Sequence, residues 1–482
     1  MWEHGSLPRS DPFSYTYSLV WGDQPIVLYQ WLAEALFFLA YMAASLQGLL
    51  AASAVVLVAA FYVLPVRILC QCGMGTWQAV CLALLLVLSA SFHFLVRPEI
   101  FSYLCLSLCI ELLVATDSAQ SDRGIRWDTV GRCALLMTLW CNLHSGFVLG
   151  LILQLLYASA CLVASAASPG QYARVNRTAL AVPAASFVAT MINPWGPGLW
   201  MYLPRLFFPR FNEHIVELKP LSVSQLTDPI YYPFLAMIVL GVLLLRRALR
   251  AGPMPQGLFA ASCFVAAVAG GILARRLIPF AALFMLAGAA LIYAAASRRG
   301  IVAADAEGRS EAGWQLDLSN ILGPAGARWP VGIMLMAGLG SALMSSWIVP
   351  PELPQASTAF RPPRRALAFL AGGLPPGRLL NDAQFGDVMI WQMSPRHRLF
   401  IDTRFDMYGD RLVAHYRSMI RAEPGWQQLV DRYEISWVFL KPAAALAFAL
   451  GKQPDWRSVY EDGEAVVMVR TARPADNDSG RP

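Results

Sequence analysis

Long apolar runs separated by short polar stretches set the pattern of this chain from about residue 32 to residue 349. A run of about 20 apolar residues can cross the hydrocarbon of a bilayer as a helix. On that measure the pattern predicts an all-α polytopic membrane domain of about ten crossings. They fall at Leu49–Leu69, Trp77–Phe94, Pro98–Thr116, 131–143, 146–166, Thr178–Ile192, 230–245, 257–273, Leu277–Ala296 and Val331–Val349. Trp31–Leu46 is apolar but short and holds Glu34, so it reads as a helix lying at the interface. One polar island, Trp140-Cys141-Asn142-Leu143-His144-Ser145-Gly146, interrupts the apolar run from Cys133 to Ala167. That run is too long for one crossing and suits two short ones, so the chain turns at a membrane face there. An Asn and a His held between two helices are costly unless they have partners or a task.

The pattern changes after the tenth run. Residues 1–31 form a polar lead-in, 32–349 the membrane domain and 350–379 a Pro-rich, basic linker. Residues 380–470 then read as a small soluble α/β domain. Val388–Trp391, Arg398–Ile401 and Ser436–Leu440 are expected strands, while Arg411–Arg421, Trp426–Asp431 and Ala443–Leu450 are expected helices. Glu461-Asp462-Gly463-Glu464 lies between apolar segments within Val459–Val469 and predicts a hairpin. The tail 471–482 is polar and expected to be disordered.

Composition agrees with the pattern. The chain has 482 residues, 57% hydrophobic and only 14% charged, where soluble domains carry about 25% charge. The net charge of +6 resides mostly in short loops between apolar runs. That is orientation information and not a nucleic-acid footprint. Placing the loops with Arg123/Arg126/Arg132, Arg174/Arg177, Arg246/Arg247/Arg250 and Arg298/Arg299 inside makes the crossings alternate without conflict. Arg97, the 142–145 turn, residues 193–229, Arg275-Arg276 and the soluble domain then lie outside. Met1 is expected outside too, with no recognisable leader, which is met either by a crossing upstream of this sequence or by an unusual insertion of the first run. Of nine cysteines none follows Cys263, so the soluble domain holds no disulfide. Cys70-Gln71-Cys72 is a weak metal or redox signal beside a structural reading.

Several polar groups fall on the same predicted face. Arg97-Pro98-Glu99 opens a crossing; Pro98 suits the first turn and Glu99 suits the helix dipole, or the Arg and Glu face an outer cavity. Asn142 and His144 either fix two helices by hydrogen bonds or bind substrate, with His144 able to handle a proton or a phosphate. Asn193-Pro194 ends a crossing in a similar way, as terminator or as ligand. Glu213, His214 and Glu217 could bind a divalent metal or supply a general base and its orienter, or form a solvated loop. Arg275-Arg276 runs against the charge bias of outer loops and calls for a phosphate or for pairing with Glu99, Glu213 or Glu217. Asp402, Arg404, Asp406 and Asp410 read as a carbohydrate or metal loop, or as a turn with local salt bridges.

In their order along the chain these stretches carry a resemblance. They are Asp11-Pro12-Phe13-Ser14-Tyr15, Trp31-Leu32-Ala33-Glu34, Arg97-Pro98-Glu99-Ile100-Phe101, Leu139 to Gly146, Asn193-Pro194-Trp195-Gly196, Glu217-Leu218-Lys219-Pro220, Arg275 to Pro279, and Phe400 to Asp410. The chain resembles the bacterial multi-spanning glycosyltransferases of the GT-C superfamily, in the group related to dolichyl-phosphate-mannose-dependent enzymes. The resemblance implies transfer of a sugar from a polyprenyl-phosphate-linked donor to a glycan, lipid or protein acceptor at the outer face of the inner membrane. It implies a carboxylate base and basic residues on the donor phosphate. From the residues themselves, Glu99, Glu213 and His144 are the catalytic candidates, and Arg97, Asn142, Asn193, His214, Glu217, Arg275 and Arg276 the substrate-binding candidates. A divalent metal is conceivable; no nucleotide or redox cofactor and no nucleic acid are expected. The family's acidic segment upstream of Asp11 is absent here, and Tyr29-Gln30-Trp31 stands where relatives often show His-Glu-Trp. The alternatives are a transporter or flippase of a lipid-linked glycan, or a non-catalytic membrane assembly protein.

Overall fold

The computed structural model describes residues 6–118, 124–167, 177–207, 218–250, 254–298, 362–393 and 397–471. They form two compact units, a helical one (Leu28–Met201 with His214–Pro351) and a mixed one (Met1–Val27, Tyr202–Glu213 and Glu352–Pro482). The expected tenth crossing, the 300–329 connection, the polar tail and Glu213, His214 and Glu217 lie outside the described residues.

The helical unit begins with α2 (Trp31–Val58), which passes through a π turn at Ala59–Val63 into α3 (Leu64–Gln71). The helix is broken at Ala44 and Ser45, where Ser45 has φ 53°. The break falls within the last residues of the expected interfacial helix, just ahead of the first expected crossing at Leu49. Gly48 is needed just after it, because a Cβ there would sit 2.3 Å from the Ala40 carbonyl oxygen. There follow α4 (Thr76–Ala90), α5 (Glu99–Ser118), α6 (Trp127–Leu143), α7 (Phe147–Ala167) and α8 (Arg177–Ala189). Next come α9 (Gly198–Phe207), which belongs to the mixed unit from Tyr202 onward, α10 (Tyr232–Arg250), α11 (Pro255–Leu273) and α12 (Ile278–Arg298). Among the described residues, seven helical segments are long and apolar enough to cross a membrane. The expected crossings at 131–143 and 178–192 coincide with α6 and α8, which have only 17 and 13 residues. Large side chains such as Leu135 (71% exposed) and Val188 (66%) face outward, as lipid contact requires and water would penalise. The chain is a multi-pass membrane protein.

α12 is buried along its whole first two thirds, Ile278 to Leu291. Small residues let neighbours approach it: a Cβ on Gly288 would lie 3.1 Å from the Ala260 Cα of α11. α5 and α12 run parallel and are joined near both ends by carboxylate–guanidinium pairs. Glu99 meets Arg276 at one end, and Asp117 meets Arg298 at the other. Asp117 also accepts from Tyr157 Oη at 2.8 Å and Gln256 Nε2 at 2.7 Å, which ties in α7 and α11. The two carboxylates are about 27 Å apart by helical rise, close to the hydrocarbon thickness of about 30 Å.

The mixed unit contains a four-stranded sheet in the order β1-β2-β4-β3. Its strands are β1 (Arg378–Asn381), β2 (Ile435–Leu440), β3 (Trp456–Glu461) and β4 (Val466–Arg470). β1 and β2 are parallel, and β4 pairs antiparallel with β2 and β3. β2 is central and apolar on both faces, as a strand covered on both sides must be. The helices are α1 (Thr16–Trp21), α13 (Arg364–Ala371), α14 (Ala383–Met393), α15 (Phe405–Ile420), α16 (Trp426–Arg432) and α17 (Ala445–Gly451). The expected hairpin is present: the Asp462 carboxylate accepts from the Glu464 and Ala465 amides at its turn.

Four sequence expectations are corrected in this unit. Val388–Trp391 is helical, within α14, whose start the Asp382 carboxylate caps through the Gln384 amide at 3.0 Å. Arg398–Ile401 contributes only an isolated bridge, between Leu399 and Ser14. The supposed linker contains α13, whose Ala366, Leu367 and Leu370 are in the core. The lead-in belongs to the mixed unit: Phe13 and Tyr15 exchange backbone bonds with Leu399, and Tyr15 Oη donates to the Leu379 carbonyl at 2.9 Å.

Candidate functional site

Two local rules bring polar groups together at the Glu99 end of the helical unit. Pro98 leaves its missing N–H where a starting helix has no use for one, so α5 opens directly on Glu99. Residues three and four positions on share its face, which puts Ser102 and Tyr103 beside it. Arg276 reaches this face from the short turn before α12, and its Nε and Nη2 each lie 3.0 Å from Glu99 Oε2. The Glu99 side chain is 5% exposed and that of Arg276 31%. His93 Nε2 stands 3.4 Å from the same oxygen, too far for a good hydrogen bond. His93 Nε2 and the Tyr103 hydroxyl are both buried without a hydrogen-bond partner. The Tyr103 hydroxyl interacts electrostatically with both Glu99 and Arg276.

The polar island supplies the neighbouring groups. α6 ends at Leu143 and the chain turns through His144, Ser145 and Gly146 into α7. His144 Nδ1 is 2.8 Å from Ser102 Oγ and accepts from the Gly146 amide at 3.1 Å. Trp140 Nε1 donates to Ser102 Oγ at 2.8 Å. Asn142 has a different occupation. Its Nδ2 donates to the Thr138 carbonyl at 2.8 Å and the Ile192 carbonyl at 2.9 Å, and its Oδ1 accepts from Trp31 Nε1 at 2.9 Å. It fastens α6 to the end of the α8 segment and the start of α2. Asn193 closes its own turn, donating to the Thr190 and Gly196 carbonyls and accepting from the Trp195 amide.

The structure therefore brings Glu99, Arg276 and His144 into one neighbourhood. Asn142 and Asn193 spend their hydrogen bonds on the protein. Arg275 is half-buried and its amide donates to the Lys219 carbonyl, while Arg97 is exposed two residues before Glu99. His93, Ser102 and Tyr103 were not singled out by sequence, and Trp140 was named only as part of the polar island. The spacing of Ser102 and Tyr103 from Glu99 was the available signal. Among the described residues no group of three or more His, Cys, Asp or Glu could hold a metal ion.

The polar loop of the mixed unit proves to be a brace. Arg404 bonds Asp402 through Nε at 2.9 Å and Nη2 at 2.6 Å, and reaches Asp11 at 3.3 Å. Tyr408 Oη donates to Asp402 at 2.7 Å. Asp402 and Asp11 are buried, and this set of local salt bridges anchors the 11–14 segment.

No protein-family model matches the sequence, and no characterised protein matches it by sequence. The fold does have solved counterparts. The chain is similar to the archaeal oligosaccharyltransferase AglB from Archaeoglobus fulgidus, solved with an inhibitory peptide and a dolichol-phosphate. The TM-score is 0.50 at 13% identity, over 96% of this chain and 68% of that one. A structure of the Archaeoglobus fulgidus oligosaccharyltransferase tethered to an acceptor peptide gives 0.48 at 13% identity, covering 98% and 69%. Its apo form gives 0.46 at 13%, covering 91% and 64%. The chain shares the fold of the first of these structures, with a helical membrane domain and a small sheet-containing domain toward the C-terminus.

Proposed function

We propose that the chain transfers a sugar from a polyprenyl-phosphate-linked donor to a glycan, lipid or peptide acceptor at the outer face of a bacterial inner membrane. The observation that carries this is the buried Glu99–Arg276 pair with His93 and His144 beside it, at one end of a GT-C bundle. The solved counterpart with dolichol-phosphate and an inhibitory peptide supports the same donor and acceptor classes.

Arg276 suits the donor phosphate. Glu99 holds its guanidinium by one edge, and the side chain remains 31% exposed. Arg97 and Arg275 add positive charge nearby in the chain, so the group stays net cationic with Glu99 ionised. In transfer, the acceptor atom bonds to the sugar's anomeric carbon while the bond from that carbon to the phosphate oxygen breaks. The electron pair leaves on the polyprenyl phosphate, where Arg276 and His144 offset the developing charge. The acceptor's proton needs a base. Glu99 is engaged by Arg276, which leaves Glu213 as the better choice, with His214 and Glu217 near it in sequence. The positive-inside bias of the short loops supports an outer position for this end.

The test is transfer from a panel of undecaprenyl-phosphate-linked hexoses and pentoses in proteoliposomes. Arg276→Lys keeps the charge but loses the fork and is expected to lower turnover by roughly a hundredfold. Full turnover in both Arg276→Lys and Glu99→Gln would remove the basis of the assignment.

A further inference from the structure

The sequence of donors around His144 fixes which ring nitrogen carries its proton. An indole N–H can only donate, so Ser102 Oγ accepts from Trp140 Nε1 at 2.8 Å. The hydroxyl proton of Ser102 is then free to point at its other neighbour, His144 Nδ1, also at 2.8 Å. A backbone N–H can only donate as well, and that of Gly146 meets the same Nδ1 at 3.1 Å. Two donors converge on Nδ1, so Nδ1 is bare and the proton sits on Nε2. Two glycines make the arrangement possible. A Cβ on Gly146 would lie 2.4 Å from Ser102 Oγ, and one on Gly150 would lie 2.4 Å from Trp140 Cζ3. Ser102 and Trp140 are each 0% exposed, so water does not compete for these bonds.

We propose that Ser102, with Trp140 behind it, is a positioning residue that holds His144 as the Nε2–H imidazole, a hydrogen-bond donor to the leaving phosphate and not a base. This rests on the glycosyl-transfer reading for what the donor is used for. To serve as a base through Nε2, the ring would have to carry its proton on Nδ1, against the Gly146 amide. The acceptor's proton therefore goes to a carboxylate, and Nε2–H stabilises the phosphate oxygen as the bond to the sugar breaks.

Solid-state 15N NMR of the full chain in lipid bilayers, labelled at its histidines, reads the tautomer without any substrate. The chain has six histidines, and a His144→Gln difference spectrum assigns the signal. The expected result is a protonated Nε2 and a bare Nδ1 in the wild type, and a mixture of tautomers in Ser102→Ala. Trp140→Phe, which also only removes atoms, is expected to give a smaller shift in the same direction. A protonated Nδ1 in the wild type overturns the proposal, as does a tautomer ratio unchanged in both variants. With substrate, Ser102→Ala is expected to lower kcat roughly tenfold with KM unchanged; a change confined to KM overturns the leaving-group role. A wild-type chain that transfers no sugar yet shows the Nε2–H tautomer refutes the transfer reading and leaves the positioning of His144 standing.

Discussion

Removing either member of the Glu99–Arg276 pair leaves a different orphan, and the difference is measurable. Arg276→Ala strands a carboxylate whose side chain is 5% exposed. Breaking a buried pair from that side costs about 3–5 kcal/mol. Glu99→Ala leaves a guanidinium that is 31% exposed and can keep part of its hydration. The cost there is nearer to that of a charged hydrogen bond, about 1.5–3 kcal/mol. The double variant strands no charge, so it should be less damaging than Arg276→Ala alone, with a coupling of about 2 kcal/mol. In a unit of this size 1 kcal/mol shifts Tm by about 2–4 °C. Arg276→Ala should thus melt on the order of 10 °C lower, and Glu99→Ala about half as far. The chain carries its own reporters: Cys72, Cys105, Cys109, Cys133, Cys141, Cys161 and Cys263 are buried in the helical unit, so a thiol-reactive dye follows its unfolding. If the two single variants melt together and the double variant is additive, the pair is not a buried electrostatic unit and the reasoning fails.

At the opposite end, Asp117→Ala leaves the Tyr157, Gln256 and Arg298 donors without their shared acceptor; the same dye assay should show a loss of about 3–5 kcal/mol. Gly146→Ala forces a methyl to within 2.4 Å of Ser102 Oγ, and the turn should open at a cost of about 1–3 kcal/mol, read as the loss of the wild-type His144 tautomer signal. Arg404→Ala unpairs buried Asp11 and Asp402, so hydrogen exchange should accelerate in residues 11–16. Burial holds the Asp406 carboxyl above its usual range despite the bond from Tyr202. A raised folded-state value favours folding at low pH and is lost as pH rises through it, so Asp406→Asn should stabilise the mixed unit at pH 7 and lose that advantage below pH ~4; no gain at pH 7 would refute the burial argument.

What the sequence disclosed depended on the range of the signal. Helix positions follow from apolar runs, which are local, and the runs opening at Pro98, Leu277 and 146 became α5, α12 and α7 nearly residue for residue. The cationic excess at Arg275-Arg276 signalled a missing negative partner, and the structure supplies Glu99, 177 residues away. Naming that partner needed the fold, because Glu213 and Glu217 satisfied the same charge argument. His93 carried no signal at all: it sits at the end of an apolar run with nothing in its spacing to tie it to Glu99. The mixed unit misled for another reason. Val388-Met389-Ile390-Trp391 is a four-residue apolar run, and period alone does not separate a short buried helix from a strand. Asp382, which caps α14, was the local cue that decided it. The return of the 11–16 segment to Leu399 and Phe400 rests on one bridge and a few side chains, which leave no periodic trace.

The two ends of α5 and α12 connect the legible part to the rest. α12 has Arg276 in the turn before it, Arg298 at its end and no charge between, while α5 has Glu99 and Asp117 near its termini and, between them, Glu111 paired with Arg67 at 2.9 Å, since an unpaired charge in mid-bilayer is costly. Helices so marked pair in register, and in the parallel arrangement found here Glu99 is opposite Arg276 while Asp117 is opposite Arg298. An antiparallel arrangement would set Glu99 opposite Arg298 and Asp117 opposite Arg276, so charge placement sets the register of the pair while packing sets its direction. Charge placement therefore fixes the register of these helices as firmly as packing does, and with it the depth of the Glu99 group. That depth is near the end of a span about as long as the hydrocarbon is thick, the level at which a lipid-linked phosphate lies.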